Sequence, residues 1–142
     1  MLINIIIAIL LVMCSFTDFK FKKVSLHLLI IFAIAALLFR IDKLYNYGFV
    51  EIKNIGIDIL PGLILLLLGK ATEEKIGYGD GYVFVVIGVY IGFSRTLGIL
   101  ITAFFIIFVI SMFLLMIQKI NSRTEIPFIP AVFISFLIQL FL

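Results

Sequence analysis

The sequence predicts an all-α membrane protein, a polytopic bundle of about six transmembrane helices in which residues 1–142 form a single domain. Of the 142 residues, 65% are hydrophobic and 13% are charged. A typical soluble domain has about 45–50% apolar and about 25% charged residues. Long apolar runs also alternate with short charged loops along the whole chain. A chain this short cannot bury so much apolar surface beneath a water-facing shell, so we expect lipid to solvate most of it.

Six apolar runs mark the predicted helices. In chain order they are about Leu2–Thr17, Val24–Phe39, Ile55–Leu68, Tyr82–Phe93, Leu97–Ile117 and Ile126–Leu142. The first is interpreted as a retained span, because its lysines follow the apolar run, whereas a secretory signal has its positive charge first. Several runs are shorter than the roughly 20 residues that a bilayer core requires. Thinning of the bilayer and snorkelling of flanking Lys and Arg side chains accommodate such short spans.

The fourth run has a second interpretation. It is only about a dozen residues long and ends at Ser94-Arg95, so a re-entrant or half-buried helix is an alternative to a full crossing. Gly88 and Gly92 have the GxxxG spacing that lets helices approach closely in lipid, unless they simply belong to a Gly-rich stretch. The segment Arg40–Asn54 is polar and mixed in charge, which predicts an ordinary solvated connector.

Basic residues predict the orientation of the bundle. The loops after the first, third and fifth helices contain seven Lys and Arg residues, and those after the second and fourth contain four. This bias favours the first set of loops as cytoplasmic, with both termini outside. The net charge of +3 is spread among loops, so we expect no nucleic-acid partner. The lone Cys14 excludes a disulfide framework and is expected to be a small core residue; we expect no metal and no cofactor.

Acidic residues at membrane depth are candidate functional groups, because an ionisable side chain is costly there. Asp18 closes the first helix and Asp80 opens the fourth, so two full spans separate them and both lie at the same membrane face. Asp58 lies inside the third run, near the opposite face. Glu125 shares the face of the pair and is a possible partner, and Glu73 lies with Glu74 further out in a loop.

Two carboxyl groups held together away from water share one proton and titrate as a unit. One can then activate a water molecule while the other donates to a substrate carbonyl, as in aspartic proteases. Gly77, Gly79 and Gly81 surround Asp80 and tolerate positive φ and close backbone approach, which suits docking of an extended peptide. The structural alternatives are a flexible turn with Asp80 as a helix cap, and Asp18 as an interfacial charge.

Three segments resemble the type IV prepilin peptidase family, the GxGD membrane aspartyl peptidases. Gly77–Asp80 is a GxGD motif at the start of a span. Asp18–Ser25 resembles the family's Asp, basic loop and step into the next helix. Pro127–Pro130 resembles the Pro-Phe-x-Pro segment that opens the last family helix. The three segments occur in the family's order over nearly the whole chain.

The resemblance implies an endopeptidase of the cytoplasmic (inner) membrane, with Asp18 and Asp80 as catalytic acids at the cytoplasmic face. Its partners would be the lipid bilayer and pilin-like precursors, which it would cleave between a short basic leader and the apolar helix. Larger members carry a cysteine-rich insertion and methylate the new N-terminus. This chain lacks both the cysteines and the length, so we expect cleavage without methylation. Leu26 and Tyr82 stand where many members have Asn and Lys, which affects the expected substrate contacts.

Two functions from other classes are the alternatives. One is a small transporter or channel subunit in which Asp18, Asp58 or Asp80 handles protons or cations, with a flux that depends on Asp58. The other is a non-catalytic scaffold for assembly. His27 is interpreted as a hydrogen-bonded core residue, with a proton relay near Asp18 as the alternative, and Pro127 and Pro130 as residues that shape the start of the last helix. The precursor, the partner system and the oligomeric state are not predicted.

Overall fold

The computed structural model describes residues 2–21, 24–72, 77–117 and 127–141. All the regular structure in these segments is helical, which confirms the all-α class. The described helices are α1 (Leu2–Phe21), α2 (Leu26–Tyr47), α3 (Phe49–Asp58), α4 (Leu60–Ala71), α5 (Tyr78–Ile91), α6 (Phe93–Met116) and α7 (Ile129–Phe141).

The prediction that Arg40–Asn54 forms a solvated connector is wrong, because this segment is helical. It forms the last two turns of α2 and the first half of α3. Gly48 separates the two helices with a φ of 48°, a conformation that glycine adopts without a steric cost and that permits a tight reversal. The polar side chains that suggested a solvated loop include Arg40 and Glu51, which form an ion pair with each other.

The third predicted span is broken into two helices. The axes of α3 and α4 differ by 43°, and the break is at Ile59. Pro61 is the second residue of α4, where its missing N–H costs no helical hydrogen bond. Beyond it, Gly62 lies against the backbone of Val85, so that a side chain at Gly62 would overlap α5.

Helix α5 occupies the centre of the bundle. It contacts α1, α2, α3, α4 and α6, and most of its residues from Gly81 to Tyr90 are buried. Whether α5 is a full crossing or a re-entrant helix stays a prediction, because either kind of helix can be buried inside a bundle. Of the expected GxxxG pair, Gly88 does provide a close contact, with the backbone of Asp58. Gly92 does not, because it lies beyond the end of α5 with a φ of 85° and separates α5 from α6.

One described helix, α6, is long and apolar enough to cross a membrane by length and composition alone. The bent pair α3–α4 would make a second if it counts as one span, and the other described apolar helices are shorter. Large apolar side chains are exposed along α1, α2 and α6. The structure thus contains one clear span where the sequence predicts six, and the remaining crossings stay a prediction.

Candidate active site

Asp18 lies in the last turn of α1 and is only 8% exposed. Its Oδ2 accepts a hydrogen bond of 3.2 Å from the backbone N–H of Ile129, the first residue of α7. The backbone N–H of Phe128 also donates to this carboxyl group. The first N–H groups of a helix have no partner inside it, and the helix dipole favours negative charge there. Asp18 therefore caps α7 and links it to α1.

Asp80 is the third residue of α5 and is half-buried. Its backbone N–H donates to the carbonyl oxygen of Gly77, the N-cap residue. An acidic side chain in the first turn interacts favourably with the helix dipole. The structural alternative in which Asp80 is the N-cap is wrong, because Gly77 is the N-cap and Asp80 lies in the first turn. Oδ2 of Asp80 is close to Gly77, and a Cβ added to that glycine would lie 3.5 Å from it.

The carboxyl groups of Asp18 and Asp80 interact electrostatically. The end of α1 and the beginnings of α5 and α7 therefore meet at one end of the bundle. This is the arrangement expected when two spans separate Asp18 from Asp80. In chemical terms, this end of the bundle holds two acids close enough for the charge of one to disfavour ionisation of the other. Whether these acids are catalytic remains a prediction from the sequence.

The glycines around Asp80 serve helix packing. A Cβ on Gly79 would lie 2.8 Å from Cγ2 of Val24, and one on Gly81 would lie 2.7 Å from Cδ2 of Leu66. Positive φ among the described glycines occurs only at Gly48 and Gly92. Gly79 and Gly81 therefore allow Val24 and Leu66 to approach α5 closely, and docking of an extended peptide beside Asp80 stays a prediction.

The segment with the two prolines is anchored where α7 begins. Pro127 precedes the helix and Pro130 is its second residue, where proline is well tolerated. Between them, the ring of Phe128 lies 6.2 Å from that of Phe84 and 5.3 Å from that of Phe104, measured between centroids. These contacts orient the N–H groups that donate hydrogen bonds to Asp18. The two prolines flank this segment, where they can shape the start of α7.

Several candidate residues do not join this pair. His27 is exposed in the first turn of α2, so its interpretation as a core residue is wrong. Cys14 is fully buried one turn before Asp18, as expected. Glu73, Glu74 and Glu125 lie outside the described residues. In the described part of the chain, no three His, Cys, Asp or Glu side chains form a group that could hold a metal ion.

Asp58 belongs to a second polar cluster, which sequence reasoning missed. Its Oδ2 lies 2.6 Å from Nη2 of Arg40, and Nη1 of Arg40 lies 2.9 Å from Oε1 of Glu51. Arg40 Nε donates to the carbonyl oxygen of Val89 at 2.7 Å. The backbone N–H of Phe93 donates to Asp58 Oδ1 at 2.8 Å. This Arg40 cluster joins α2, α3, α5 and α6.

A signal for this cluster was present in the sequence. Arg40 directly follows the second apolar run, and Asp58 lies within the third. Alternating spans place both at the face opposite the Asp18–Asp80 pair. Two opposite charges beside apolar helices at one face are expected to pair, because an unpaired charge is costly there.

One family is found when the chain is compared with known proteins. The model of the type IV leader peptidase family matches residues 5–114, well over half of the chain, and confirms the resemblance. The match includes Asp18 and Asp80 and ends before Pro127. No curated protein and no solved structure matches the chain. The chain belongs to the type IV leader peptidase family.

Proposed function

We propose that this protein is a membrane aspartyl endopeptidase that removes the leader peptide of type IV pilin-like precursors, with Asp18 and Asp80 activating a water molecule. Family membership supports a peptidase in general. The observation that carries the finer proposal is that Asp18, at the end of α1, and Asp80, in the first turn of α5, lie where these two helices meet, and that their carboxyl groups interact there.

The two acids have different surroundings, which suggests different roles. Asp18 accepts backbone N–H bonds at the start of α7, and such bonds favour a carboxylate over a neutral acid. We therefore assign the negative charge of the pair to Asp18 and the shared proton to Asp80. In this assignment Asp18 is the general base and Asp80 the general acid.

The reaction then follows from proton transfers. Asp18 takes a proton from water as the water oxygen attacks the scissile carbonyl carbon, and Asp80 donates its proton to the carbonyl oxygen. The tetrahedral intermediate collapses when the C–N bond breaks and Asp18 passes its proton to the leaving nitrogen. The proton of the intermediate's hydroxyl returns to Asp80 as the carbonyl re-forms, and the pair is restored.

A multi-pass topology suits this chemistry. The exposed apolar side chains of α1, α2 and α6 offer a surface for lipid, and the Lys and Arg distribution favours a cytoplasmic location for the end that holds Asp18 and Asp80. A precursor with a basic leader and an apolar helix would present its cleavage site at that interface.

The transporter alternative is weakened by the Arg40 cluster. Both carboxylate oxygens of Asp58 have partners, Arg40 for one and the N–H of Phe93 for the other. A group that carries protons across the bilayer has to exchange such partners during each cycle. Asp58 instead closes a helix junction, which is a structural role.

A cleavage assay tests the proposal. The protein is reconstituted in lipid vesicles with a precursor that has a basic leader, a glycine and a long apolar helix. Asp18→Asn and Asp80→Asn should each lower the cleavage rate by about 10²–10⁴-fold, because an amide side chain can neither accept nor supply the proton. Ser94→Ala, at an exposed position in the first turn of α6 at the other end of the bundle, is the control and should cleave normally.

Two results would contradict the proposal. Cleavage that persists in either amide variant would remove that acid from the mechanism. A folded wild-type protein that cleaves no such precursor would favour the scaffold alternative.

A further inference from the structure

A helical hairpin extends beyond the rest of the described bundle at the end opposite the two acids. It consists of the last two turns of α2, Gly48 and α3, and is called the α2–α3 hairpin here. Val24, just before α2, lies against Gly79 near the start of α5, and Arg40 reaches Val89 near the end of α5. Helices α2 and α5 therefore run parallel to each other, and α5 ends at about the level of Arg40.

The length of α2 gives the height of the hairpin. From Arg40 the helix continues to Tyr47, which adds about 10 Å at roughly 1.5 Å per residue. Helix α3 then returns, and Asp58 meets Arg40 and the first N–H of α6. The tip of the hairpin thus stands about 10 Å beyond the junction of α5 and α6.

The level of the bilayer follows from α6. This helix begins at the same junction, and its 24 residues extend about 36 Å. The hydrocarbon core of a typical bilayer is about 30 Å thick, and the headgroup layers add several ångströms on each side. If α6 spans the core, the hydrocarbon ends close to Phe93, and the hairpin tip reaches the headgroup layer.

The surface of the hairpin has the composition of a membrane interface. Tyr45 is 91% exposed and Phe49 82%. Tyr47, Val50 and Ile52 are also exposed. Tyrosine is enriched in the headgroup layer because its ring is apolar and its hydroxyl is polar.

Two further features favour lipid as the occupant of this surface. Lys43 and Lys53 belong to the hairpin, and Lys53 is exposed there, where its ammonium group can meet anionic headgroups. The exposed apolar face of α2 also continues from Leu37 and Leu38 through Ile41 into the hairpin. The hairpin therefore continues the same apolar surface that lipid is proposed to cover.

We propose that the α2–α3 hairpin is an interfacial anchor, which lies in the headgroup layer of the leaflet opposite the Asp18–Asp80 end. Its aromatic side chains enter the layer and Lys53 pairs with lipid phosphate groups. This anchor sets the depth of the bundle in the bilayer. The proposal requires that α6 crosses the membrane, but it does not depend on peptidase activity.

Tryptophan fluorescence can measure the depth of the hairpin, because the natural chain contains no tryptophan. Single variants Tyr45→Trp, Phe49→Trp and, as a control, Phe105→Trp in α6 are reconstituted in vesicles of phosphatidylcholine and phosphatidylglycerol. Lipids brominated near the headgroup and lipids brominated near the chain ends provide shallow and deep quenchers. Iodide in the buffer reports exposure to water.

The anchor predicts stronger shallow than deep quenching at positions 45 and 49, with the reverse order at position 105. Iodide should quench the hairpin variants far less than it quenches the same variants unfolded in denaturant. Efficient iodide quenching with little lipid quenching would place the hairpin in water and overturn the proposal. Dominant deep quenching at 45 and 49 would overturn it as well, since the hairpin would lie in the hydrocarbon core. Neither readout uses cleavage, so failure of the peptidase proposal leaves the result intact.

Discussion

Nη2 of Arg40 lies 2.6 Å from Oδ2 of Asp58 across the junction where α2, α3, α5 and α6 meet. Both side chains are mostly shielded from solvent, with 15% and 12% of their surface exposed. Arg40 also supplies a donor to the last turn of α5, and Asp58 an acceptor to the first turn of α6. The Arg40–Asp58 ion pair therefore supplies hydrogen-bond partners to the end of α5 and to the start of α6, which only Gly92 separates.

Removing the cation of this pair should destabilise the fold. Arg40→Met leaves Glu51 and Asp58 without their buried partner, which typically costs about 3–5 kcal/mol. Unfolding by denaturant in mixed micelles or bicelles measures the loss. The exposed control Ser94→Ala should remain within about 0.5 kcal/mol of wild type.

A rescue variant tests the cause of that loss. Adding Glu51→Gln and Asp58→Asn to Arg40→Met removes the unpaired charges, while the amide oxygen that replaces the Asp58 carboxylate can still accept from the N–H of Phe93. Part of the stability should therefore return. A triple variant less stable than Arg40→Met would show that the charges themselves are not the source of the loss.

Asp18 should have a structural role that is separable from its chemistry. Asp18→Asn retains an oxygen that accepts from Ile129, so its stability should stay close to that of wild type. Asp18→Ala leaves the first N–H groups of α7 without an acceptor, which is expected to cost about 0.5–2 kcal/mol. Denaturant unfolding of the two variants side by side measures the difference. Equal stability of the two would mean that the hydrogen bond to Ile129 contributes nothing.

The pH dependence of cleavage should be bell-shaped. At low pH both Asp18 and Asp80 are protonated and no base is present, whereas at high pH both are ionised and no acid is present. The two limbs belong to the pair rather than to either residue. Measuring kcat/KM across pH in vesicles, with a stability check at each pH, supplies the profile. A rate that only rises with pH over the stable range would argue against a shared proton.

Gly79 should be required for the fit of α5 against the start of α2. Gly79→Ala places a methyl group 2.8 Å from Cγ2 of Val24, and such overpacking typically costs about 1–3 kcal/mol. Val24→Ala in the same chain removes Cγ2, the nearest of these atoms, and should restore part of the stability and of the cleavage rate.

Gly56 provides the matched control for that substitution. A Cβ there meets no atom within 4 Å, so Gly56→Ala in α3 should be neutral or stabilise by about 0.5–1 kcal/mol. Equal effects at Gly56 and Gly79 would show that backbone entropy, not the contact with Val24, decides the outcome.

The helical class and the approximate places of the helices could be predicted because they depend on local composition. A long apolar run with few charges favours a helix in lipid, because a helix satisfies its own backbone hydrogen bonds, and each of the six predicted runs overlaps a described helix. The common location of Asp18 and Asp80 could also be predicted, since it requires only that the chain runs the length of the bundle twice between them. The family match confirms the resemblance that the short motifs suggested.

The sequence by itself therefore determined the all-α class, the order of the helices and the candidate acids. Only the tertiary structure decided which side chains meet: Asp18 with the start of α7, Arg40 with Asp58, and Gly79 with Val24. The physical reason is that such contacts depend on the rotation and distance of helices that lie far apart in the chain. A pattern of apolar residues shows that a helix exists, but not which neighbour faces each of its side chains.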